Sequence, residues 1–153
     1  MVVQDDTGVF TVLHESIAAH PEEIFAALTT ESGLIRWFPV AAEVDLRTGG
    51  SITLGWDRKF KRKLTIGIEA FDAGGRIVWQ WPSRLSDTQV RIEWIVSPSV
   101  EKGSEVVLRM GPVSTDPESL MAMAEDAESW RWYLCNMRTV HEARLDMRAV
   151  RPL

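Results

Sequence analysis

From residue 41 onward apolar residues recur at every second position, and this alternation limits the fold more than any other feature. Ala42, Val44 and Leu46 alternate with Glu43, Asp45 and Arg47. The pattern returns at Ile52, Leu54 and Trp56, at Leu64, Ile66, Ile68 and Ala70, and at Ile77, Trp79 and Trp81. It recurs at Val90, Ile92, Trp94 and Val96, and again at Val106, Leu108 and Met110. Successive side chains of a strand point to opposite faces, so the alternation predicts antiparallel strands buried on one face only. Thr48-Gly49-Gly50, Ala73-Gly74-Gly75 and Glu101-Lys102-Gly103 have hairpin-turn chemistry. With a first strand over residues 9–17, the expectation is a meander of seven strands.

Beyond residue 116 the period changes to that of a helix. Asp116 suits the N-cap, Pro117 the first helical position and Glu118 the first turn. Leu120, Met123, Ala127, Trp130, Leu134, Met137, His141 and Leu145 then fall on one stripe. An unbroken helix over 117–148 would be ~48 Å long, whereas seven strands span about 29 Å. A break or bend before Ser129 is therefore expected. Two short helices lie between the first and second strands. One starts at Pro21-Glu22-Glu23 and buries Ile24, Phe25 and Leu28; the other starts at Thr30-Glu31, carries Leu34, Trp37 and Phe38, and is stopped by Pro39. A one-faced sheet and a long striped helix can bury their apolar surfaces only against each other. The expected fold class is α+β, a helix-grip fold with a curled seven-stranded antiparallel sheet around a long C-terminal helix.

Several motifs along this framework resemble the family homologous to the activator of Hsp90 ATPase. They are Ile17-Ala-Ala-His-Pro-Glu-Glu-Ile-Phe-Ala-Ala-Leu-Thr29, Leu34-Ile-Arg-Trp-Phe38, Asp45-Leu-Arg-Thr-Gly-Gly50, Arg76-Ile-Val-Trp-Gln-Trp81, and the helical set Trp130, Leu134 and Met137. The resemblance runs from about residue 10 to 148, with Ser129 where the family often has Gly and Met137 where it often has Leu. It implies a single START-like (SRPBCC) domain over 1–153, with an apolar cavity between sheet and helix. Such domains take small hydrophobic ligands or lipids, polyketides in the cyclase branch, or protein partners. The eukaryotic co-chaperone carries a separate N-terminal Hsp90-binding domain, for which 153 residues leave no room.

Tryptophan is the compositional oddity, with seven indoles against a single tyrosine. Trp56, Trp79, Trp81 and Trp94 have the inward parity of their strands, Trp130 lies on the helix stripe, and Trp37 and Phe38 stand at the lid. With Met110, Leu134, Met137 and His141 they form the expected ligand-binding set, because concave apolar sites with few polar groups hold small molecules. Tyr133, Asn136 and Arg131 flank the stripe and can orient a polar head. The expected function is binding of a small hydrophobic ligand without catalysis. A cyclase/aromatase-type enzyme and a co-chaperone-like or stress-response interaction module are the alternatives.

Other features narrow the field. His14, His20 and His141 are scattered along the chain, no hydrolase, zinc-protease or phosphate-loop motif is present, and neither metal nor cofactor is expected. A net charge of −5 argues against nucleic acid as partner. Lone Cys135, with no apparent leader or membrane span, points to the cytoplasm. Trp132, Tyr133, Val140 and Met147 form a second apolar line on the helix, expected to serve a homodimer. Arg58, Lys59, Lys61, Arg62 and Lys63 surround Phe60 at one hairpin, read first as a solvated tip that discourages edge pairing, with contact to an anion or an acidic partner as the alternative.

Overall fold

A computed structural model describes residues 1–101 and 103–150. In chain order the elements are β1 (Val2–Asp5), β2 (Gly8–Ile17), α1 (Pro21–Thr29), α2 (Glu31–Leu34), β3 (Ala41–Asp45) and β4 (Ser51–Gly55). There follow β5 (Lys63–Asp72), β6 (Arg76–Pro82), β7 (Gln89–Pro98), β8 (Ser104–Val113), α3 (Pro117–Ala143) and α4 (Met147–Val150). The strands form one antiparallel sheet in the order β1-β2-β8-β7-β6-β5-β4-β3, curled but not closed. This is the α+β helix-grip architecture that the alternation and the helix stripe require.

Two details of the sheet differ from expectation. Its described strands number eight, because Val2–Asp5 pairs with β2 through a turn in which Asp5 Oδ1 accepts from the Thr7 amide (2.8 Å). β1 is almost wholly exposed, so it carries no burial pattern that could have announced it. Only β3 to β8 form a meander; β2 pairs with β8 at the far side, from Val9↔Val113 to Ile17↔Ser104. Inward parity otherwise follows the alternation: Ile52, Leu54, Ile66, Ile68, Ile77, Trp79, Ile92, Trp94, Val106 and Leu108 are buried to 1% exposure or less. A bulge between Ile68 and Ala70 shifts the register of β5. Phe71, not Ala70, then packs on the core and stacks on Phe25 of α1 (ring centroids 6.1 Å). The turn at 101–103 includes Lys102, which lies outside the described residues.

α3 runs unbroken for 27 residues, ~40 Å, so neither the expected break before Ser129 nor the extension to residue 148 occurs. Residues 120–127 are Leu, Met, Ala, Glu and Asp, with no Gly or Pro to interrupt them. Asp116 caps the start, its side chain accepting from the Ser119 amide (2.9 Å). The helix stops where Arg144 enters the left-handed region (φ 53°) and its amide turns back to the Thr139 carbonyl. Leu145, assigned to the stripe, is therefore outside the helix and exposed. The length mismatch is absorbed at the other end: before Trp130, only Met123 of α3 is buried.

The chain after α2 is a lid, residues 35–40, latched from behind by the end of α3 and by α4. Asn136 is fully buried; its Nδ2 donates to the Trp37 carbonyl (2.9 Å) and to Asp146 Oδ1 (3.2 Å), and its Oδ1 accepts from the Met147 amide (2.7 Å). Arg148, paired with Asp146 (2.7 Å), donates to the carbonyls of Ile35 (2.7 Å), Phe38 (3.1 Å) and Pro39 (2.8 Å). Removing Asn136 leaves the Trp37 carbonyl and Met147 amide without this partner. Asn136→Ala should therefore lower unfolding free energy by about 2 kcal/mol, read as a lower urea midpoint at unchanged slope. A loss below about 0.5 kcal/mol would show that the latch contributes little.

Candidate functional site

Each expected aromatic is placed by a different element. Trp56 follows β4, Trp79 and Trp81 come from β6, Trp94 from β7, Trp37 and Phe38 from the lid, and Trp130 from α3. The structure brings all seven together. Trp94 has its ring centroid 6.0 Å from Trp37, 5.2 Å from Trp79 and 5.6 Å from Trp130. Phe38 lies 5.2 Å from both Trp37 and Trp130, 6.0 Å from Trp56, 6.2 Å from Trp81 and 4.6 Å from Tyr133. Phe38 stacks on Trp37 and the other contacts are edge-on or tilted, arrangements that suit the charge distribution of aromatic rings. Leu134 and Met137 extend the stripe along α3 and are fully buried.

The indole N–H groups are not treated alike. Trp37 Nε1 donates to the Ala27 carbonyl (2.7 Å), which ties the lid to α1. Trp79 Nε1 and Trp94 Nε1 are buried with no acceptor. A buried donor left unpaired costs about 1–3 kcal/mol, so the heart of the cluster contains two indole donors for which no described residue is an acceptor.

A cavity of about 290 Å³ opens beside the cluster, under the overhanging N-terminal half of α3. Val90, Met110, Pro112, Val113, Ala122 and Met123 give it apolar walls. Strand register connects it to the rings. Val90 pairs with Trp81, and in the next rung Trp79, Ile92 and Met110 lie side by side across β6, β7 and β8. Of the expected residues, only Met110 lines this cavity. The rest of its lining comes from the β6–β7 loop, the start of β7, the end of β8 and the start of α3, places that the alternation and the stripe did not bring together. The available signal was the scarcity of large apolar residues on the stripe before Trp130.

Arg84 crosses the rim. Its guanidinium meets Glu125 (2.5 Å) and Asp126 (2.7 Å) of α3, and Arg84 and Asp126 both line the cavity. Burial raises the Asp126 carboxyl above the ordinary carboxylate range, opposed by the Arg84 charge.

The remaining expectations fare differently. Arg131 pairs with Glu15 (3.0 Å) on β2, and Asn136 is committed to the latch, so neither orients a ligand head in the cavity. Tyr133 is half-buried against Phe38, and burial pushes its hydroxyl pKa up. Of the supposed outer line on α3, Val140 belongs to the core at 6% exposure. Ile35 of the lid and Val140 line the same surface depression. Trp132 is half-buried, edge-on to Tyr133 (5.2 Å), and Met147 lies in α4 rather than in α3. These four do not make one exposed stripe. Among the described residues, no group of three His, Cys, Asp or Glu is placed to hold a metal ion.

His141 stands apart from the aromatic cluster, eleven residues and ~16 Å along α3 from Trp130. It lines a surface depression with Ala18, Ala19, His20 and Glu23. Its Nδ1 lies 2.7 Å from the Met137 carbonyl, which makes Nδ1–H the donor, and Nε2 is buried without a partner. Burial lowers its pKa below the ordinary 6.5. The unfolded chain then takes up a proton that the folded one refuses, so stability is lost as pH falls below about 6.5 and the loss levels off beneath the folded-state pKa. Urea midpoints between pH 5 and 7.5 should show this dependence, and His141→Gln should flatten it.

The model of the family described as activator of Hsp90 ATPase homolog 1-like protein matches residues 18–142. A comparison with curated protein sequences finds no match. Among solved structures, the fold is similar to the Aha1 dimer from Colwellia psychrerythraea, with TM-score 0.71 and 19% identity over 88% of this chain and 96% of that one. It is similar to an HSP90 activator from Plasmodium falciparum, with TM-score 0.67 and 19% identity over 86% and 94%. It is also similar to DynU16, a protein of the dynemicin biosynthetic locus, with TM-score 0.72 and 13% identity over 90% of this chain and 48% of that one. At these identities the likeness concerns the fold alone. No described helix is long and apolar enough to cross a membrane. With its motifs in order, its helix-grip fold and a family match over most of its length, the chain belongs to the activator of Hsp90 ATPase homolog 1-like family and has a START-like (SRPBCC) fold.

Proposed function

We propose that this protein binds a small, mostly apolar molecule carrying a hydrogen-bond acceptor, in the cavity beneath the first half of α3. The reading rests on one observation: a cavity with apolar walls and a polar rim shares strand rungs with Trp81 and with Trp79, whose indole N–H is buried and unpaired among the described residues. Its volume of about 290 Å³ lies at the small end of ligand pockets, which favours a one- or two-ring molecule or a short acyl chain over a diacyl lipid. Met110 and Met123 make adaptable walls. Trp81 and Trp79 are neighbours of the site through the rungs they share with Val90 and Met110, and they join it to the cluster of Trp37, Phe38, Trp56, Trp94 and Trp130 without lining it. His141, on the other side of the molecule, is left out of the site.

The Arg84 bridge is the element a ligand has to displace. Both Arg84 and Glu125 are substantially exposed, and ion pairs of that kind contribute less than about 1 kcal/mol. The pair of Arg84 with the more buried Asp126 is the costlier half of the rim to open.

Titrating the protein with simple aromatic compounds and medium-chain fatty acids should produce a saturable change in tryptophan fluorescence for at least one compound. Ala122→Phe fills the cavity and should weaken that compound roughly tenfold or more, a cost of about 1.4 kcal/mol. Trp132→Phe, away from the cavity walls, should bind it unchanged. If no compound gives a saturable change, or if Ala122→Phe binds as well as the parent, the reading fails.

A further inference from the structure

The hairpin between β4 and β5 is strongly basic, and neither the fold nor the cavity accounts for it. Residues 57–63 carry five cations against one carboxylate, a charge of +4 in a chain of net −5, which leaves −9 on the rest of the molecule. Arg58, Lys59, Lys61, Arg62 and Lys63 are all exposed, and none forms an ion pair with a described residue. Elsewhere arginines are matched to carboxylates: Arg76 to Glu93, Arg91 to Glu69, Arg131 and Arg138 to Glu15.

A role in discouraging edge pairing does not explain the tip. β4 is paired with β3 and β5, and β5 with β4 and β6, while the edges of the sheet are β1 and β3. Nor is the tip a loose string of lysines. Asp57 organises it by accepting from the amides of Lys59 (2.9 Å), Lys61 (3.1 Å) and Arg62 (2.8 Å). The Phe60 amide closes onto the Asp57 carbonyl (3.2 Å), and the Trp56 amide onto that of Arg62 (2.9 Å). Phe60 takes a left-handed conformation (φ 53°) with its ring over Gly55, where a Cβ would come within 2.8 Å of the ring. Gly55 leaves room for that ring, and the carboxylate holds the backbone, so the five cations project from a loop whose shape is already set. Such preorganisation lowers the ordering cost of binding.

We propose that this hairpin is a docking surface for an acidic polypeptide segment, a short run of Asp and Glu on another protein. The same observations disfavour an anionic membrane. The tip's one apolar side chain is folded back on Gly55 and has nothing to insert, and the −9 on the rest of the molecule opposes approach to a charged sheet of lipid. A long nucleic acid meets the same opposition beyond so small a footprint. A few carboxylates on a flexible segment match the size of the patch.

The test is fluorescence anisotropy of a labelled glutamate-rich peptide titrated with the whole chain at low salt, beside sedimentation with phosphatidylserine-containing vesicles. Saturable peptide binding that weakens with added salt is expected. Lys59→Glu/Lys61→Glu should lose roughly tenfold or more. Arg36→Glu/Arg144→Glu makes the same change in net charge elsewhere and should lose less than about threefold. Asp57→Asn adds positive charge yet loosens the loop, and it should bind more weakly; equal or tighter binding would overturn the claim that loop shape matters. Thermal melts of each variant confirm folding. Absence of saturable binding, equal losses in the two double variants, or capture by vesicles without peptide binding would each refute the proposal.

Discussion

Everything in this molecule is arranged around the meeting of Trp130 with the indoles of the sheet and with Phe38. One ring on α3 touches Trp79 and Trp81 of β6, Trp94 of β7 and Phe38 of the lid. Sheet, helix and lid thus share a single apolar contact, and none can shift without exposing large rings to water. Burying an aromatic of this size is among the largest single contributions available to a small domain. The latch through Asn136 and Arg148 secures the one participant that lacks regular structure, by hydrogen-bonding the lid's carbonyls.

That contact also decides where the molecule is left unfilled. Trp130 pins α3 near its middle, and the polar and small residues before it cannot close the gap to β7 and β8. An uninterrupted run of good helix formers keeps the overhang rigid. The cavity under it follows from a helix longer than its sheet requires, with Met123 alone reaching fully inward. Its walls join apolar side chains of β7, β8 and α3 to a polar rim that includes Arg84 and Asp126, and strand rungs link Val90 to Trp81 and, through Ile92, Met110 to Trp79.

Much of this could be read from residue order. The strands from β3 to β8, the cap at Asp116, the two short helices and the convergence of Trp37, Phe38, Trp56, Trp79, Trp81, Trp94 and Trp130 all follow from period and parity. What escaped was whatever burial does not imprint on a pattern. β1 is exposed and silent. The bulge at Ile68/Ala70 exchanges Ala70 for Phe71 by one unpaired residue. Val140 has outer-face spacing yet belongs to the core cluster, which periodicity along one helix cannot reveal. His141 lies on the stripe, yet it emerges beyond the core because the stripe outruns the sheet.

By itself the sequence determined an α+β helix-grip fold with a tryptophan-rich interior, because a one-faced sheet and a one-striped helix have only each other to pack against. Only the tertiary structure decided which of those side chains face a void and which face one another. Parity says that a residue points inward, but volume depends on how rings from five separate elements interdigitate. The same holds for the basic hairpin. Its charges are plain in the sequence, but that Asp57 and Gly55 set their shape, on a hairpin joining two fully paired strands, emerges only when the chain is folded.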